Sequence, residues 1–164
     1  MITKSPESDS PVWESKRYLY LAPDERRDSL VHALFNDRRA MLPHVEQPFG
    51  LDSDAVRRRR QSRRQGMAGG SSFLVGGISK EDSSLVAVSG FRELKEGAGE
   101  WGAIVDPVHR RKGAASEIFA SNVDMAKSLL KSLRIVAAKT AENKIMISFL
   151  RKRGIREGKK IDRD

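Results

Sequence analysis

Apolar and polar positions along this chain change period several times, and each change marks an element. Residues 17–21 alternate well enough for a first strand. Asp24 is placed to cap a helix running to about Asn36, with Leu30, Val31, Leu34 and Phe35 on its apolar face. Pro43 and Pro48 break the pattern beyond that helix, and a second helix starts at Asp52 or Ser53 and ends near Gly66. Gly69 and Gly70 mark a turn before the apolar run 73–78. Residues 80–84 turn again into a strand over 85–94, where Val86 and Val88 alternate with smaller residues. A third turn at 96–99 leads to a strand over 100–105. The period then becomes helical. Ala115, Ile118, Phe119, Val123, Ala126, Leu129, Leu130 and Leu133 step by three or four, with Asn122 at the edge of the stripe and Leu129 and Leu130 in the core. An apolar strand over 134–138 precedes a last helix. Asn143 opens it, Gly154 closes it, and Ile145, Met146, Phe149 and Leu150 face the core. The order is strand, two helices, three strands, helix, strand, helix, with room for one more strand.

Length bounds this to one domain: 164 residues support a real core and are too few for two ordinary ones. Residues 1–11, rich in Ser, Pro and charge, read as a disordered segment, leaving 12–164 as the single domain. The chain has no cysteine, which excludes disulfides, thiolate zinc sites and a cysteine nucleophile. His32, His44 and His109 show no metal-ligand spacing, so no metal is expected. No apolar run approaches the roughly 20 residues of a membrane span, and the polar N-terminus has no signal-peptide core. The expected location is intracellular: cytoplasmic, or nuclear in a eukaryote.

The net charge of +9 sits in two clusters. Arg57, Arg58, Arg59 and Arg60 with Arg63 and Arg64 form the first, and the tail after Leu150 forms the second. The first cluster has three readings: a solvated helix face or linker, a field that attracts a polyanionic ligand, or a sequence-independent nucleic-acid contact. No aromatic residue is interleaved in it, which weakens a base-stacking platform.

The chemistry concentrates between Glu100 and Ala115. A half-apolar strand feeds a Pro-containing basic turn, and a Gly/Ala-rich helix start comes directly after it. Backbone N–H groups and a helix N-terminus then converge on one point, the arrangement a pyrophosphate needs. Small residues at Gly113, Ala114 and Ala115 allow close approach, while Arg110, Arg111 and Lys112 add charge. The spacing Arg110-x-x-Gly113-x-Ala115 resembles the Arg/Gln-x-x-Gly-x-Gly/Ala signature of the GNAT superfamily of acetyl-CoA-dependent N-acetyltransferases. A second element, Asn143 to Gly154, is similar to the family's downstream helix; Asn143 is otherwise an ordinary N-cap. In motif detail the chain is nearest to the Pat-type protein-lysine acetyltransferase domains, which share a Glu at the offset of Glu100 and an Asn-x-x-Met helix like Asn143-Lys-Ile-Met146.

The resemblance implies an α/β (α+β) GNAT fold: a mixed, mostly antiparallel central sheet flanked by helices. It implies acetyl-CoA as donor, bound by Val105, Arg110, Arg111, Lys112, Gly113, Ala114, Ala115, Ser116 and Asn143. The expected reaction is direct attack by a primary amine, a protein lysine first among the candidates, with Glu100 as general base and the backbone N–H near Val105 receiving the developing oxyanion. Glu100 otherwise reads as a solvent-facing residue at a strand end. Alternatives are a small-amine acetyltransferase acting on a polyamine, amino acid or antibiotic, and a module that binds coenzyme A or nucleic acid without turnover. Two departures stand out. Leu150 occupies the position where many family members carry a Tyr that protonates the leaving thiolate. Only nine residues follow Ile155, where the family adds two strands, so the last strand is expected to be lacking and the exposed edge would invite a homodimer.

Overall fold

Among the described residues, five of the six strands follow one another antiparallel across one sheet, and their turns explain the path. The computed structural model of the chain describes residues 11–41, 50–130, 134–137 and 144–156. β1 (Trp13–Glu14), β2 (Tyr18–Leu21), β3 (Phe73–Ser79), β4 (Leu85–Lys95) and β5 (Ala98–Val105) are neighbours in chain order. β6 (Arg134–Val136) then lies parallel to β5, so the sheet is mixed and mostly antiparallel.

The β4–β5 hairpin matters most for the site. Its loop is only Glu96 and Gly97, with φ of 52° and 75°. Two positive φ values give a turn whose twist matches that of the strands it joins. β5 therefore starts at Ala98, two residues before the strand start expected at Glu100. Register shifts between Arg92 and Lys95, where Glu93 sits at φ 52°. Extended without the bulge, the Lys95–Ala98 pairing would set Glu93 against Glu100, and facing like charges destabilise a strand pair. The extra residue places Arg92 there instead. Further along β4, Gly90 has φ 149°, and a Cβ there would lie 2.0 Å from the Phe73 carbonyl oxygen. No other residue type fits.

Helices cover both faces. α1 (Asp28–Phe35), α2 (Arg38–Met41) and α3 (Ser53–Gly69) pack on one side, where Leu34, Phe35, Ala40 and Met41 meet Ile78, Leu85, Val88 and Ile104. The Asp24 side chain accepts from the Arg26 N–H as expected of a cap, but it opens a 3-10 turn, so the first helix is divided. Asp52 caps α3 through the Ala55 N–H at 2.7 Å, and the helix passes Gly66 to end at left-handed Gly70.

α4 (Ala114–Leu129) and α5 (Lys144–Lys152) flank the other side. The buried stripe of α4 is rotated from the expected one: Ala114, Ile118, Ser121, Asn122, Met125 and Ala126 face inward. Asn122 is fully buried rather than at the edge, because the buried Trp101 indole needs an acceptor and donates to Asn122 Oδ1 at 3.0 Å. Leu129, expected in the core, is exposed because the helix stops there and Leu130 is extended. Ile145 is also exposed (82 %), as is Leu30; Met146, Phe149 and Leu150 do pack on the core. Expectations for residues 1–10, Leu133, the end of strand 134–138, Asn143 and the tail beyond Arg156 lie outside the described residues. Among the described residues no helix is long and apolar enough to cross a membrane.

Candidate active site

Pro107 and Asp106 turn the chain sharply at the end of β5. Asp106 accepts from the Val108 N–H at 3.0 Å and caps a 3-10 turn over Pro107–His109. Arg111 then takes φ 59° and Gly113 φ 75°, two left-handed residues that swing the chain into α4. The first backbone bond of α4 runs from the Glu117 N–H to the Gly113 oxygen. The N–H groups of Ala114, Ala115 and Ser116 therefore precede the helical ladder and have no acceptor within it. The 16-residue helix adds roughly half a unit of positive charge at this end. Arg111, Lys112 and Gly113 are exposed and open to an approaching anion.

Three of the predicted ligands are engaged elsewhere by their side chains. Arg110 reaches the Ala40 carbonyl of α2 at 3.5 Å. The Ser116 hydroxyl accepts from Arg153, which also lies 3.5 Å from the centre of the Phe149 ring. Ala114 is buried against the core, so its contribution is its backbone.

Two residues that the motifs do not reveal brace the loop. Arg17, just before β2, donates to the Lys112 carbonyl at 2.8 Å and to Glu117 Oε1 at 2.7 Å. The Arg17 N–H and the Ser15 hydroxyl add bonds of 2.8 and 2.5 Å to Glu117 Oε2. Burial pushes the Glu117 carboxyl up, but the Ser15 and Arg17 hydrogen bonds outweigh it and hold the group below its ordinary value of 4.5. An acid in the first turn beside an anion site is the available sequence signal, since it demands a compensating cation.

Glu100 lies on the opposite face of β5. Trp101, Ala103 and Val105 point toward α4, whereas Glu100, Gly102 and Ile104 alternate toward α1 and α3. Its carboxylate is mostly buried and accepts from Arg92 Nη2 at 2.9 Å, so it is an ion-paired residue inside the strand and not a solvent-facing end. Arg92 in turn lines a cavity of about 320 Å³ between this face and the helices, together with Phe35, Arg59, Ser62, Arg63 and Gly102. At the other end of β5, the Asp106 N–H points to Val86 of β4 at 2.8 Å. Successive strand N–H groups alternate in direction, so that of Val105 points toward the β6 side. The described part of β6 pairs only with residues 98–100 of β5. Among the described residues no group of three His, Asp or Glu could hold a metal.

One strand thus links a helix terminus with free N–H donors on one face of the sheet to a carboxylate and a cavity on the other, an arrangement with room for two ligands along β5. The sequence model of the Acetyltransferase (GNAT) domain matches residues 18–156, and the chain belongs to the GNAT acetyltransferase family. No curated protein sequence matches it. Solved structures with the same fold include a GNAT-family acetyltransferase from Bacillus anthracis, 21 % identical, covering 87 % of this chain and 82 % of that one with a TM-score of 0.72. Spermidine N-acetyltransferase from Vibrio cholerae, solved with CoA and spermine, is 18 % identical over 88 % and 84 % of the two chains (TM-score 0.73). Ribosomal-protein-S5-alanine acetyltransferase from Vibrio fischeri is 16 % identical over 89 % and 84 % (TM-score 0.75).

Proposed function

We propose that this chain transfers the acetyl group of acetyl-CoA to a primary amine. The observation that carries this reading is the turn at the end of β5, which presents the Ala114, Ala115 and Ser116 N–H groups beside exposed Arg111 and Lys112. These residues fit a pyrophosphate: backbone donors and the α4 dipole meet it first, and the two cations neutralise it. Acetyl-CoA supplies the acetyl group as an activated thioester.

The remaining roles belong to this chain's residues. Glu100 takes a proton from the amine, directly or through water, and Arg92 orients it by occupying Oε1. The Val105 N–H, directed away from β4, is available to a carbonyl oxygen at the strand edge. Leu150 is buried and offers no proton, so the leaving thiolate takes one from solvent or another hydroxyl.

Two measurements test this reading. Titration with acetyl-CoA should raise the melting temperature saturably, by linkage worth about 2.7 kcal/mol at 100 times Kd. Gly113→Glu should remove the shift. Amine-dependent thiol release should then be lost in Glu100→Gln. A folded protein without a shift would overturn the transferase reading and leave a polyanion-binding module in its place.

A further inference from the structure

The cavity behind β5 carries an unusual lining. Arg59, Arg63 and Arg92 contribute three guanidinium groups, and the described lining residues include no carboxylate. Arg59 and Arg63 both stand over the Phe35 ring, 5.5 and 5.4 Å from its centre, and Phe35 is itself buried. One ring holds two like charges side by side. Arg92 has Glu100 as its partner, whereas among the described residues Arg63 meets the ring and no acid. Two turns of one helix, a ring from another helix and a strand bulge together place the three cations around one space of about 320 Å³.

Their electrostatics agree with that geometry. Burial lowers the affinity of Arg63 for its proton, Arg59 and Arg92 lower it further, and the group is held down to about 10. Arg59 is lowered as well, by burial first and then by Arg92. Both remain charged at neutral pH, and desolvated cations crowded together are stabilised by an anion placed between them. Gly102 adds no side chain on this face, and Ser62 adds a hydroxyl.

Resting on the transferase reading, the geometry points to an acceptor whose molecule carries a carboxylate or phosphate group close to its reactive amine. The anionic group sits against Arg59 and Arg63, and the amine lies toward Arg92 and Glu100 on the β5 side. Both ends of such a molecule then find a partner: the anion meets the two guanidinium groups, and the amine nitrogen meets the Glu100 carboxylate. A polyamine or a lysine among basic residues would instead bring cations to a cationic wall.

Initial rates at saturating acetyl-CoA on matched amines test this. The pairs are 3-aminopropyl phosphate against 3-aminopropanol, 4-aminobutyrate against butylamine, and a lysine peptide flanked by glutamates against one flanked by lysines. Each anionic member should show kcat/KM at least about tenfold higher, the scale expected when a charge-assisted hydrogen bond is present or absent. Preference confined to the first two pairs identifies a small acceptor, and preference in the peptide pair as well identifies an acidic segment. Arg63→Gln and Arg59→Gln/Arg63→Gln should erase the preference through KM, leaving the acetyl-CoA KM and the melting temperature in place. Equal or better use of the members without the anionic group overturns the inference, as does a preference that survives in the double variant. Calorimetric binding of 3-aminopropyl phosphate in the absence of acetyl-CoA separates the two readings. Binding that disappears in the double variant supports the cationic pocket even where acetyl-CoA produces no shift. An undiminished acetyl-CoA shift without that binding overturns the pocket alone.

Discussion

The two faces of β5 offer positive charge by different physical means. On the α4 face the charge is backbone: three N–H groups and a helix dipole, with the nearest acid already paired with Arg17 and hydrogen-bonded by Ser15. On the α1–α3 face it is side chain: two arginines desolvated over one phenyl ring and a third tied to Glu100. Backbone donors cannot be lost by titration and need no partner when exposed to water. A buried guanidinium group is different: Arg63 is desolvated over Phe35, and an anion brought beside it is favoured. The first device suits any pyrophosphate, and the second selects among acceptors.

Breaking the first device should have the larger effect. Gly113→Glu forces a side chain onto φ 75° and puts a carboxylate where the anion belongs, so acetyl-CoA affinity should fall by about a hundredfold or more, measured by titration. The same variant should still bind the anionic acceptor, which separates the two faces directly. Arg17→Ala removes the brace without touching the donors. Because Arg17 is 40 % exposed, solvent weakens its pair with Glu117, and a loss of about 1 kcal/mol in stability with roughly tenfold weaker acetyl-CoA binding is expected.

On the first face, acid should act through Glu117. The Glu117 carboxyl is held below its ordinary 4.5 in the fold, so the stability it contributes is present above that value and is lost as pH falls through the folded one. Melting temperature against pH should therefore decline below about pH 4.5 in the parent, and Glu117→Gln should flatten part of that decline. The smallest effect is expected from Arg57→Gln/Arg58→Gln. Both side chains are exposed on α3, so stability should change by no more than about 0.5 kcal/mol and both ligands should bind as before. A loss of acetyl-CoA affinity in that variant would restore the view of the whole arginine run as one electrostatic field.

That run shows where reading the chain stops. Six arginines in eight residues look like one patch, yet α3 distributes them around its circumference. Arg57 pairs with Asp54 at the surface, Arg60 is fixed to Asp28 at 3.1 Å, and Arg59 and Arg63 turn to Phe35. Charge density is visible in sequence, but its direction depends on which helix face the sheet covers. The same limit explains Asn122, whose burial comes from a Trp101 indole 21 residues away.

The chain alone determined the order of the longer elements (though not the short β1 or the division of the first helix), the turn and helix start with their free backbone donors, and the placement of Glu100 on the strand leading into them. These are local properties: period, left-handed glycines, caps and a motif within sixteen residues of continuous chain. Only the tertiary structure decided that Arg17 braces the loop, that a bulge sets Arg92 in place of Glu93 opposite Glu100, and that two arginines meet over Phe35. Those contacts join residues far apart in the chain, and one residue of register or a rotation of about 100° around a helix would send each side chain elsewhere.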